Sequence, residues 1–396
     1  MICLLVLSLC AYAEDNSLDN EPSKKSLAFS EDFLRKFEIG FFNINFTFSN
    51  DFLSLKDVFQ ETIILDIDNF SKSFRVNLGI GIIPIYFNVS MGDWGFGLST
   101  GVEATGLLNL SGKLLTFSSA VNDKSYVSGA IFASAGVNGF FNIDKFRVTV
   151  KPVLFYTLAY LKPGISYTFD PDSGNILNLA YDMQLYTAFP VDSSGSPTGS
   201  GLSAAPGIDF SFGVEYALSK EFDVGLNLIN IPVVPSVMND YLQFKGLVGS
   251  DEPIDPLNGG INSLLSSFDN FDSKPISGTG SLEVERPFRL TAWVNWRVFG
   301  TPFLTLTPAV GFSISRLYSD EFSMEFGVNS CLNLENLFFV SAGTKYEDRL
   351  WINGVDFAIN LKIFEFNIGV DVRSQDFIKS WTGGGIGLNM GFKFGW

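Results

Sequence analysis

Histidine is absent from the 396-residue chain. Without it there is no Ser-His-Asp or Cys-His nucleophilic system, and the common His-ligated metal sites go with them. Barrel phospholipases and proteases of the familiar kinds need a histidine, so those activities are disfavoured. Charge is scarce too: 17% of residues are Asp, Glu, Lys or Arg, against about a quarter in an ordinary soluble chain. The charge present sums to −16, which repels nucleic acid, whose binding needs cationic contacts to phosphate. Long apolar runs are missing beyond the first 13 residues; the longest candidate, Leu78 to Val89, is broken by Gly79, Gly81 and Pro84. No helix is therefore expected to span a bilayer. Cysteine is nearly absent, with only Cys3, Cys10 and Cys331.

What the chain does carry is 46% hydrophobic residues, including 41 Phe, beside 38 Gly. The apolar residues alternate. Phe322, Met324, Phe326, Val328, Leu332 and Leu334 oppose Ser323, Glu325, Asn329 and Asn333. Phe364, Phe366, Ile368, Val370 and Val372 oppose Glu365, Asn367, Asp371 and Arg373, and similar runs start at Phe146 and Phe222. Period two belongs to strands whose two faces meet different surroundings. Without a spanning helix, only a closed barrel satisfies every backbone group in lipid. Segments of about ten residues with an aromatic-rich apolar face are the transmembrane-barrel pattern. The expected fold is thus all-β: a transmembrane antiparallel β-barrel whose C-terminal strand closes the ring.

Sixteen segments read as strands: 38–48, 74–90, 94–105, 127–142, 145–158, 164–170, 176–189, 207–218, 222–231, 282–299, 303–315, 322–334, 337–347, 351–362, 364–373 and 383–396. Even numbers are favoured, so 14 and 16 are the two values carried forward, with 14 ahead. Short connections fall at 142–146, 218–222, 299–303, 334–338 and 361–366. Longer polar ones fall at 189–206, 232–281, 316–322, 346–350 and 373–384. Their alternation is what periplasmic turns and external loops produce. "DFLSLKDVF" within 49–73 reads as helical, and region 106–126 is expected to hold a short helix from Ser111 to Val121.

The opening "MICLLVLSLCAYAED" resembles a secretory signal, with an apolar stretch Ile2 to Leu9 and an A-x-A site at Ala11–Ala13. Cleavage after Ala13 is preferred over lipidation of Cys10, which follows Leu9 rather than a small residue. Cys331 would then stand alone, without an intramolecular disulfide, as a small residue facing the barrel interior. Residues 14–36 are polar and charge-rich. They are either a periplasmic leader or a plug entering the lumen, and Phe29, Phe33 and Leu34 would serve the latter. Residues 37–396 form the barrel.

No catalytic constellation emerges. Asp66 and Asp68, or Asp251, Glu252 and Asp255, suit solvated loops, and the glycine pairs lie in strands rather than before a helix. No cofactor or metal is expected. The most informative connection is 232–281, far longer than a hairpin needs and rich in apolar residues. Its stretches "VMNDYLQFKGLV" and "GGINSLLSSFDNF" suit short amphipathic helices. Met238, Tyr241, Leu242, Phe244, Leu247, Leu264, Leu265, Phe268 and Phe271 are the candidate contacts for a lipid-like ligand. A lid that packs on itself above the barrel explains the same residues.

In layout the chain resembles the FadL-type outer-membrane transporters of long-chain fatty acids and other hydrophobic molecules. The shared features are the signal segment, about 14 strands, the leader before the barrel, the apolar external loop and the terminal aromatic residue. The Asn-Pro-Ala segment that family members carry near the mature N-terminus is absent. The resemblance implies a low-affinity external groove, a lumen site, an N-terminal hatch and a lateral opening. Passive uptake of a hydrophobic small molecule is one expected function. A surface-interaction barrel and an open porin for polar solutes are the alternatives.

The final "GIGLNMGFKFGW" alternates to its end, with Phe392, Phe394 and Trp396 on the apolar parity. These residues resemble the signal read by the outer-membrane barrel assembly machinery and also suit an interfacial girdle. The expected surroundings are outer-membrane lipid, with both termini periplasmic and the long loops outside.

Overall fold

A computed structural model of the chain describes residues 36–50, 73–111, 125–162, 165–170, 176–192, 196, 198–199, 201–249, 275–318, 321–361, 363–381 and 384–395. The signal segment, almost all of the leader, "DFLSLKDVF", "GGINSLLSSFDNF" and Trp396 lie outside these residues.

The strands belong to one antiparallel sheet of 18. Fourteen form the wall. The first five are β1 (Phe37–Asn50), β2 (Ser73–Ser90), β3 (Trp94–Ser111), β4 (Tyr126–Ile143) and β5 (Phe146–Lys162). Two more strands, β6 (Ile165–Asp170) and β7 (Ile176–Thr187), leave the wall before it resumes with β8 (Gly207–Ala217) and β9 (Phe222–Val234). It is left again by β10 (Ser236–Gly249) and β11 (Ile276–Val284). The ring is completed by β12 (Phe288–Arg297), β13 (Leu304–Ile314), β14 (Phe322–Leu334) and β15 (Phe338–Glu347). Then come β16 (Leu350–Asn360), β17 (Phe364–Ser374) and β18 (Gly385–Gly395). The last strand pairs with β17 on one side and β1 on the other, with Ile39 opposite Phe394 and Phe48 opposite Ile386. That seam closes the barrel, so the wall has no free edge.

The two faces divide as the alternation demands. On β14, Phe322, Met324, Phe326 and Val328 are 53, 52, 44 and 44% exposed, whereas Glu325 and Cys331 are 7% and 1% exposed. Apolar side chains thus point away from the ring and polar ones point into it. Cys331 sits inside, packed with Phe339 and Ala358, as its parity predicted.

One rim carries Phe37, Gly395 and six connections of two to six residues; we term it the turn rim. The other, the loop rim, carries the longer connections, with one exception. Segment 346–350, expected to be long, is a two-residue hairpin whose Asp348 and Arg349 have φ of 48° and 66°. Paired left-handed residues suit the twist of such a turn. Three charged residues in a row mimic a loop, but here two of them, Glu347 and Asp348, join ion pairs of the lumen.

The preferred count of 14 wall strands holds; β6 and β7, which a count of sixteen would place in the wall, stand above it. One further expectation is corrected. "VMNDYLQFKGLV" is strand β10, not a helix. Both its faces carry apolar contacts, so period two is lost and a helix-like spacing takes its place. Strand β3 runs on to Ser111; the rest of the helix expected over Ser111 to Val121 lies outside the described residues.

Candidate functional site

Strand β5 builds the site by dividing. Its first ten residues, Phe146 to Phe155, pair with β8. Its last four, Ala159 to Lys162, pair with β7, and β6 continues along β7 in the same register. In parallel, the β9–β12 hairpin continues upward as β10–β11, and β10 also pairs with β7. A four-stranded extension, β6-β7-β10-β11, therefore rises from the loop rim. At the fork the amide of Thr157 donates to Ser236 Oγ (3.2 Å), which donates in turn to the carbonyl of Ala205 (2.9 Å). The hydroxyl thus meets a backbone group that loses its ladder partner.

Under the fork lies the largest apolar cluster of the described residues. It includes Phe132, Phe155, Tyr160, Tyr186, Met238 and Leu317. Phe132 and Phe155 meet edge to face at 6.0 Å. Gly207 makes room for Phe155, because a Cβ there would lie 2.3 Å from the ring. Beneath the cluster, Arg286 reaches inward from the β11–β12 junction. Its Nη2 lies 3.0 Å from Glu103 Oε1 on β3, and its Nη1 lies 3.2 Å from Asp209 Oδ2 on β8. All three side chains are at most 2% exposed. The guanidinium also stands 5.8 Å from the centre of the Phe155 ring. This chord ties β3, β8 and the β11–β12 junction across the interior.

The other half of the lumen is polar and less filled. A cavity of about 210 Å³ lies among β12 to β18 and β1, lined by residues including Thr291, Asn329, Asp356 and Asn389. Arg289 pairs there with Glu325 (3.1 Å), Glu347 (3.0 Å) and Asp348 (3.4 Å). Lys345 pairs with Glu347 at 2.7 Å, and Arg373 with Asp371. Mutual pairing lets charge of both signs face a confined interior, where lone ions would be costly.

The wall is irregular at one place. Phe42 of β1 has φ of 50°, and β1 slips register against β18 between Phe41 and Ile44. Pro84, opposite it on β2, has no N–H to give, and β2 slips against β3 between Ile82 and Tyr86. Thr100 Oγ1 donates to the Ile85 carbonyl across the gap (3.1 Å). Four adjacent strands, β18, β1, β2 and β3, thus have interrupted ladders at that height, as bulges require.

The candidate ligand residues separate. Met238 is fully buried in the fork cluster, and Tyr241 packs on it with its ring 5.2 Å from that of Tyr186. Leu242 and Phe244 form a second cluster with Met183, Leu185 and Val191. Leu247 is on β10, but its side chain lies outside the description. Leu264, Leu265, Phe268 and Phe271 lie outside it altogether. Phe392 and Phe394 face outward near the turn rim, where they pack with Phe366 and Phe364 at 5.0 and 5.1 Å. Sequence reasoning placed Glu325, Asp371 and Arg373 on the inward parity but did not pair Glu325 with Arg289 or Asp371 with Arg373. It passed over Arg286 entirely, whose only signal is a buried-strand context interrupted by "ERP".

A closed ring of tilted strands with an apolar exterior and an ion-paired interior is a membrane-spanning β-barrel. No family model matches the chain, and no curated protein matches it in sequence. Solved structures do match. The toluene transporter TbuX of Ralstonia pickettii aligns with a TM-score of 0.52 at 10% identity, covering 96% of this chain and 93% of that one. A TodX deltaS2S3 mutant, described as a monoaromatic hydrocarbon channel, aligns at 0.50 and 12% identity, again over 96% and 93%. A FadL homologue of Pseudomonas aeruginosa aligns at 0.44 and 9% identity, over 91% and 89%. At such identities the likeness is one of fold alone.

Proposed function

We propose that this chain is an outer-membrane barrel for passive uptake of hydrophobic small molecules. The observation that carries this reading is the fold it shares with TbuX, a toluene transporter, together with the apolar cluster at the fork. In this reading the loop rim faces outside and the turn rim faces the periplasm. A hydrophobic molecule, a monoaromatic hydrocarbon or a fatty acid, meets the extension first, where the half-buried Tyr241 packs on the fork cluster and Leu242 and Phe244 form an apolar core with Met183, Leu185 and Val191. It leaves sideways at the weakly bonded wall around Phe42 and Pro84, so it need not cross the charged half of the lumen. A hydrophobic solute gains nothing among ion pairs, which makes a lateral path the lower-energy route.

The test is uptake by vesicles containing the purified protein, with labelled toluene and labelled palmitate offered separately. Accumulation above empty vesicles, reduced on removing 238–271, supports the reading and identifies the class carried. Equal uptake by protein-containing and empty vesicles overturns it. A porin for polar solutes is a second reading, favoured by the polar cavity of about 210 Å³. It predicts large, steady ion currents across a planar bilayer, which the hydrophobic route does not.

A further inference from the structure

The β17–β18 connection leaves the loop rim and folds down over the outside of the wall. Trp351 and Asn353 share the outward parity of β16 with Val355 and Phe357, opposite Ile352, Gly354 and Asp356, which line the cavity. Val355 is exposed to the surroundings, yet Asn353 is buried. The cover is the 3-10 turn Lys379–Trp381: Asn353 Nδ2 donates to Ser380 Oγ at 2.7 Å, and Ser380 is itself fully buried. Phe377 packs edge to face on Trp351 at 4.7 Å, and Trp351 meets the outward rings of Phe326 and Tyr346 at 5.4 and 5.3 Å.

The turn is internally satisfied. Asp376 Oδ1 accepts from the amides of Ile378 (2.8 Å) and Lys379 (3.1 Å). The Ser380 amide donates to the Asp376 carbonyl (2.9 Å), and the Trp381 amide to the Ile378 carbonyl (3.2 Å). Four successive N–H groups thus need no water. What the turn shows outward is mainly apolar: Ile378 is 76% and Trp381 61% exposed, with Phe377 beside them. Asp376 and Lys379 are exposed too, and a lysine stem at a membrane surface lies along apolar surroundings while its ammonium reaches water. A loop meeting only water has no reason to satisfy its own backbone while presenting its largest apolar side chains. A segment held in lipid must do the first and gains by the second.

We propose that residues 376–381 are a lipid-inserted foot, which seats Phe377, Ile378 and Trp381 among the acyl chains of the loop-rim leaflet. Lipid is the chosen occupant because the patch is continuous with the outward belt at Phe326, Tyr346 and Trp351. The foot also covers Asn353, whose amide would otherwise face hydrocarbon. Beyond the strands themselves, it fixes the barrel's depth and rotation in the bilayer at β16 to β18. The inference rests on the membrane-spanning reading, and the test separates the two.

Three full-chain variants with the other cysteines replaced by serine, Ile378→Cys, Val355→Cys and Thr279→Cys, are labelled with an environment-sensitive fluorophore. Each is refolded into phosphatidylcholine vesicles. The expected result is strong quenching of positions 378 and 355 by nitroxides on the acyl chains and strong iodide quenching of position 279. If position 355 is open to iodide, the membrane reading fails. If position 355 is shielded and 378 is open to iodide, the foot alone fails. Shielding of 378 from both quenchers, or its cross-linking between barrels in proportion to protein density, also overturns the proposal, since protein then covers the patch. Adding Asn353→Leu should raise iodide quenching at 378 several-fold while leaving 355 unchanged; an unchanged 378 would count against the Asn353–Ser380 seat.

Discussion

Replacing Arg286 with methionine tests how the interior is held. The side chain keeps similar bulk, but Glu103 and Asp209 lose the guanidinium that stands 3.0 and 3.2 Å away. Two unit charges near 4 Å attract by about 4 kcal/mol at an effective dielectric constant of 20. Desolvating three ions offsets much of that gain, so the triad need not be worth much against an apolar replacement. Removing the arginine alone is another matter, because it leaves two carboxylates in a site where every partner is at most 2% exposed. The expected loss is about 3–5 kcal/mol. Neutralising all three groups, by Arg286→Met with Glu103→Gln and Asp209→Asn, should recover most of it. Guanidinium unfolding of the refolded barrel in detergent, followed by its heat-dependent mobility on gels and by tryptophan emission, measures both differences. A single variant costing under about 1 kcal/mol would refute the argument, as would a triple variant no more stable than the single.

Val310, 54% exposed near the middle of β13, should cost about 2–4 kcal/mol as Val310→Arg in a lipid bilayer, against little for Asn329→Arg on the lumen side; equal costs would remove the inside–outside assignment. Met238→Ala, at a fully buried position in the fork cluster, should destabilise by about 2–5 kcal/mol in the same unfolding assay. If that loss is under about 1 kcal/mol, the fork is loosely packed. Deleting Phe394 to Trp396 should lower assembly into outer membranes, scored by protease resistance of the barrel in cells. Normal assembly would argue that these residues serve only as an interfacial girdle.

The barrel was legible because it is written locally. Every wall strand must set an apolar face to the outside, and the side-chain period of two repeats that demand at Phe322, Phe326, Phe364 and Phe366 without regard to partners. Direction followed equally, since a two- to six-residue turn can only join antiparallel neighbours. The charge-rich "YEDRL" misled, because a tight turn and a long loop share composition when the turn's charges have partners on other strands.

By itself, then, the sequence determined a closed, outward-apolar barrel of roughly this size and the parity of nearly every strand. Only the tertiary structure decided that 14 strands form the wall while β6, β7, β10 and β11 stand above it. The reason is that β5 pairs with β8 below and β7 above, a choice made by register between residues far apart in the chain. The same holds for the ion pairs. Alternation says that Arg289, Glu325 and Glu347 face away from lipid, but which carboxylate meets which guanidinium depends on strand stagger around a closed ring. Nothing in the local run of the chain records that stagger.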